Sequence, residues 1–132
     1  MKWLYQVKPV SPDLGFLMMR LAAAFMLFHG TPKLLGFTER MEKFPDPIGI
    51  GTVPSLVLCV FAEFFCTVFI VLGLFTRVML VPLLINMTVV IFIVHAADPL
   101  AEKEMAFMYF FLYLGLFFTG PGKYSVDGIR KA

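Results

Sequence analysis

The side chains able to do chemistry are few, and most sit where a charge is expensive. Arg20, Glu63 and Asn86 each lie inside an apolar run. A charged side chain left alone in hydrocarbon costs about 3 kcal/mol or more, so each calls for a partner. If His29, Pro54 and His95 mark one face of a bilayer, these three groups lie nine residues below it, about 13.5 Å at 1.5 Å per residue. Tyr113, nine residues past Glu104, reaches the same level. The spacing predicts an internal Arg20–Glu63 pair, with Asn86 and Tyr113 satisfying the remaining donors and acceptors. Such a network either fixes helix register or serves a ligand.

A second constellation falls at helix ends. His29-Gly30-x-x-Lys33 closes the first apolar run, His95 closes the third, and Glu102 and Glu104 open the fourth. Imidazole titrates near neutral pH, so His29 and His95 can exchange protons with a ligand oxygen. His29 and Lys33 stand four residues apart and share a helix face, although Pro32 falls in that turn. His29, Lys33, His95 and Glu104 are therefore the ligand-binding candidates, against the plainer reading of caps and interfacial residues. No HExxH and no cysteine cluster is present, so no metal site is expected. Cys59 and Cys66 are seven residues apart, about 10.5 Å of helical rise and too far for a disulfide. They read as apolar packing residues.

The elements that must position these groups are hydrophobic helices. The 132 residues are 60% hydrophobic and only 15% charged, against about 25% charged in soluble domains, and the mean hydropathy is +0.88. Helices apolar all round belong in a membrane or a much larger core. Four stretches, at about 14–34, 53–75, 78–95 and 104–119, predict one all-α domain: an antiparallel bundle of four transmembrane helices. The loop from Gly36 to Thr52 allows a short interfacial helix over Thr38–Phe44 before its prolines and glycines forbid one. The N-terminus has no signal-peptide pattern; Trp3 and Tyr5 between Lys2 and Lys8 read as an interfacial anchor. The side holding both termini carries six Lys and Arg residues against four opposite, which favours cytoplasmic termini. No basic patch interleaved with aromatics points to nucleic acid.

Several motifs resemble the DoxX family. They are Arg20-Leu21, His29-Gly-x-x-Lys33-Leu34, Glu63 before an apolar run to Gly73-Leu-Phe-Thr-Arg77, His95, and Gly120-Pro-Gly-Lys-Tyr-Ser125-Val-Asp127. The resemblance spans roughly Leu14 to Gly128. It implies a four-helix protein of the bacterial cytoplasmic membrane. The family takes its name from a quinone-reducing thiosulfate oxidoreductase, other relatives are linked to membrane complexes handling oxidative stress, and more distant ones act in protein assembly. The expected function is a redox-associated subunit binding a quinone-like or other small amphipathic molecule. Membrane or periplasmic redox proteins are the expected partners. The rivals are a non-enzymatic scaffold and a b-type haem protein with His29 and His95 as axial ligands. Gly15 and Ala22–Ala24 could support close contacts within the chain or in a homo-oligomer.

Overall fold

The computed structural model describes residues 1–131, which form helices and loops with no strand among them. Four long helices carry the structure. Helix α1 is Pro12–Leu35, α2 is Thr52–Leu72 and α3 is Thr76–Val94. Helix α4 is Leu100–Thr119, and a short helix α5, Val126–Lys131, follows it. Helix α1 packs on α2 and α4, and α3 packs on the same two.

Helices α1, α2 and α3 are long and apolar enough to cross a membrane. Helix α4 has 20 residues, enough for the hydrocarbon core. It begins four residues earlier than the sequence suggests, which places Glu102, Lys103 and Glu104 within its first turns. The outward faces are greasy: Phe25, Phe65, Phe92, Phe111 and Phe118 are all exposed. Small or compact side chains such as Ala23, Ala62, Cys66 and Leu83 fill the interior. This inside-out distribution suits lipid as solvent.

None of the three spans is a uniform α-helix. Helix α1 tightens to a 3-10 turn at Ala24–Met26 and then runs through Pro32 to Leu35. Helices α2 and α3 widen into π turns at Phe61–Cys66 and Val90–Val94, a feature that often marks functional positions. The expected interfacial helix is shorter than its sequence range, a single turn over Phe37–Arg40.

One end of the molecule is tied shut by the segment after α4. Helix α2 stops at Leu72, not Phe75, because Gly73 turns left-handed at φ +71°. A side chain there would sit 2.3 Å from Cβ of Ser125. Asp127 receives the amides of Phe75 at 2.9 Å and Thr76 at 3.0 Å, and donates its own amide to the Gly73 carbonyl. It thereby caps α3 from across the molecule, supplying acceptors that the helix start lacks locally. Asp13 at the start of α1 accepts the Lys123 amide at 2.9 Å. The last segment is thus laced to α1, α2 and α3 together.

Burial pushes the Asp127 carboxyl up, but the Thr76 and Phe75 amides and the nearby Arg130 charge outweigh it and hold it below its ordinary value. A depressed carboxylate stabilises the fold above its unfolded pKa, and that contribution is lost as pH falls through the folded one. Removing the cap by Asp127→Ala should cost about 1 kcal/mol in a detergent melt at neutral pH. The penalty should shrink as the pH is taken below about 4, where the wild type loses the same contribution.

Candidate functional site

Glu63 lies in the π turn of α2 and is nearly inaccessible, its side chain 5% exposed. Its partner is Lys33 on α1, not Arg20. The Lys33 ammonium reaches both carboxylate oxygens, at 2.6 and 2.9 Å, and lies 3.5 Å from the Cys59 sulfur. The predicted Arg20–Glu63 pair is therefore corrected. Arg20 is buried, and its guanidinium donates to the Val71 carbonyl at 2.7 Å and to the Tyr124 carbonyl. It belongs to the tied end.

Helix geometry explains the exchange of partners. Side chains lean toward the N-terminus of their own helix. Helix α1 starts at the tied end and α2 starts at the opposite, loop end. Arg20 therefore leans toward the tied end while Glu63 leans away from it. Lys33, leaning the other way along α1 from the loop end, meets Glu63. Depth also differs from the sequence expectation, because α1 continues past His29 and that histidine marks no interface. Gly30 is the residue level with Glu63: a Cβ on it would lie 2.7 Å from the Glu63 carbonyl. Arg20 is ten residues farther along, about 15 Å.

The pair forms part of the wall of a cavity of about 690 Å³, within the usual range for small-molecule sites. His29, Lys33, Glu63, Asn86 and His95 all line it, so most of the two separately read constellations share one space. Glu104 does not; it is exposed at the start of α4, and Glu102 lines the wall instead. Arg20 and Tyr113 are also absent from the lining. Asn86 and Tyr113 do not satisfy the charged pair, because the Asn86 amide nitrogen and the Tyr113 hydroxyl have no hydrogen-bond partner. Most of the wall is apolar. Leu58, Ile85 and Met105 belong to it and are about half exposed, at 53%, 60% and 57%. The cavity is consequently open at these apolar residues and not sealed by them.

Three further features shape the site, of which only the aromatic Tyr109 was expected there from the sequence. Tyr109 lines the cavity with its ring stacked on Tyr113 at 5.9 Å and meeting His29 edge-on at 6.1 Å. Asp98 holds Nδ1 of His95 at 2.6 Å, which leaves Nε2 as the free ring nitrogen. Asp46 accepts the Ile50 and Gly51 amides and the Ser55 hydroxyl, fixing the loop that carries Pro45, Pro47 and Ile48 over the cavity mouth. The i, i+3 spacing of His95 and Asp98 was a usable signal; the other two contacts are long-range or loop-made. Among the described residues no three His, Cys, Asp or Glu side chains gather as a metal site.

Fold and site define a small, all-helical integral membrane protein. Residues 15–96 match the DoxX family model. The chain also resembles an uncharacterized protein of Haemophilus influenzae, 32% identical over 117 residues, covering 83% of this chain and 85% of the relative. The chain belongs to the DoxX family. No solved structure matches it.

Two expectations follow for the pair. Lys33→Met or Glu63→Gln alone should destabilise the protein, by about 3 kcal/mol if the stranded charge cannot relax, and the double variant should be far less damaged than the sum. Arg20→Met combined with Glu63→Gln should instead be additive within about 0.5 kcal/mol, as for sites well over 10 Å apart. Thermal melts of the six proteins decide between these pairings. Gly30→Ala should lower the melting temperature sharply, because the new methyl group meets backbone that cannot rotate away.

Proposed function

We propose that this DoxX-family protein is a four-span antiparallel bundle that binds a quinone-like head group in its cavity as a redox-associated membrane subunit. In this reading α4 is the fourth span, its charged first turns reaching the interface. The observation that carries the proposal is the cavity itself: a largely apolar space open at apolar residues, with an ion pair in its wall. A ligand with a polar ring and a greasy tail suits that combination better than a water-soluble metabolite. Such a molecule could enter between helices, past Ile85 and Met105, without crossing the polar loop.

A bound quinone supplies two-electron redox chemistry, with electrons from a partner redox protein at the membrane. The residues of this chain hold and protonate. The Lys33 ammonium, already carrying a neutralising carboxylate, can turn one N–H toward a ring carbonyl. The unpartnered Asn86 amide offers a second donor. His29, exposed beside Tyr109, can pass protons between water and the ligand oxygen through its two ring nitrogens. The Lys and Arg asymmetry orients the bundle with both termini in the cytoplasm of a bacterial cell.

The test is binding of a short-chain ubiquinone or menaquinone analogue to the protein in nanodiscs. The Lys33→Met/Glu63→Gln variant removes the ion pair without stranding either charge and should bind at least tenfold more weakly, about 1.4 kcal/mol. Ala106→Phe, which fills the cavity without touching the pair, should do the same. Absence of binding to the wild type would leave the scaffold reading in possession. Equal binding to all three proteins would place the ligand outside this cavity.

A further inference from the structure

The tied end carries a second hollow, unrelated to the first. It is a cleft of about 740 Å³ between the start of α3, the end of α4 and α5, walled by Phe75, Arg77, Val78, Lys123, Asp127 and Arg130, with the backbone of Gly120 and Gly122 at its edge. Three cations therefore converge on one concave space. No carboxylate lies within salt-bridge distance of any of them among the described residues. The single acid in the wall, Asp127, has its two oxygens engaged by the Phe75 and Thr76 amides.

The cations are held rather than loose. Arg77 donates its Nε to the Phe117 carbonyl at 2.9 Å, and its terminal nitrogens lie against Gly120, where a side chain would sit 3.3 Å away. That anchoring spends one donor and leaves the terminal fork for a ligand. The Arg130 guanidinium lies 4.8 Å over the Phe75 ring, and the Lys123 ammonium 5.1 Å over the Tyr124 ring. The Arg130 charge is thus set on the Phe75 ring, in the turn where α2 ends and α3 begins, and the Lys123 charge on its neighbour Tyr124. Around it Val78 and Ile129 are exposed. A fixed fork, two further cations and an apolar rim at a membrane boundary describe a receptor for a phosphate group that carries a greasy body.

We propose that this cleft binds a phosphate-bearing anion, the head group of an anionic phospholipid. The same donors would accept free phosphate, so the experiment separates the two sources. Full-length protein in detergent is offered phosphatidylglycerol and phosphatidylcholine, and retained lipids are counted by native mass spectrometry, with a parallel melt in millimolar inorganic phosphate. The wild type should retain phosphatidylglycerol in preference to phosphatidylcholine. Lys123→Gln/Arg130→Gln should lower that retention about twenty-fivefold, at about fivefold per cation near an anionic lipid. This variant spares Arg77, whose bond to Phe117 is structural, and its own melt verifies folding. Lys123→Arg/Arg130→Lys should retain the lipid. If inorganic phosphate displaces the lipid and raises the melting temperature by itself, the cleft is a phosphate site that lipid shares; if it does neither, the lipid is the ligand. Equal retention of the two lipids by the wild type, or undiminished phosphatidylglycerol retention by a folded double glutamine variant, overturns the proposal.

Discussion

Much of this structure depends on one largely buried contact, the ion pair between Lys33 and Glu63. A carboxylate in the middle of a hydrophobic helix would be intolerable alone. The fold meets it with a lysine whose stem descends from the adjacent helix and whose ammonium reaches both oxygens. That reach requires the α1 and α2 backbones to approach closely, and Gly30 against the Glu63 carbonyl is where they do. The π turn that contains Glu63 widens α2 at the same level. Charge, glycine and helical irregularity are three parts of one constraint, and the cavity opens directly beside them.

The inward polar groups of the two ends are held differently. At the tied end Arg20, Asp13 and Asp127 spend their charges on backbone groups, closing carbonyls and amides that helix ends leave orphaned. The result is a stiff plug that joins the last segment to three helices. At the loop end the polar side chains face a space instead of each other. Asn86 keeps an unpartnered amide, His95 keeps a free ring nitrogen beyond its bond to Asp98, and His29 is exposed. Groups left unspent in this way are what a ligand site needs.

The outer surface completes the picture. Phenylalanines and branched residues face outward along the spans, and the polar groups that matter are turned inward or gathered at the ends. Because lipid offers no hydrophobic drive toward compaction, specific contacts between helices carry more of the specificity. The close packing of Gly30 on α2 and Gly73 under Ser125 supplies two such contacts, each at a position where any side chain would collide.

The amino-acid sequence by itself determined the class of protein. Composition and the apolar runs require a membrane, because a chain this short cannot bury so much apolar surface in a core of its own. The short-range motifs also gave the family and the main polar side chains that line the cavity, His29, Lys33, Glu63, Asn86 and His95. What the sequence could not decide was who meets whom. Counting residues from assumed interfaces put Arg20 beside Glu63, because a count along one helix carries no record of where the next helix crosses it. The backward lean of side chains in antiparallel helices was the available clue, and it separates Arg20 from Glu63 while bringing Lys33 in. The end of α2 was misread for a related reason: it stops early because Ser125, more than fifty residues later, fills the space above Gly73. Interactions within a turn of helix are written in local spacing. The pairing of Lys33 with Glu63, the cap that Asp127 places on α3 and the meeting of His29 with Tyr109 depend on how the helices cross, which only the tertiary structure decided.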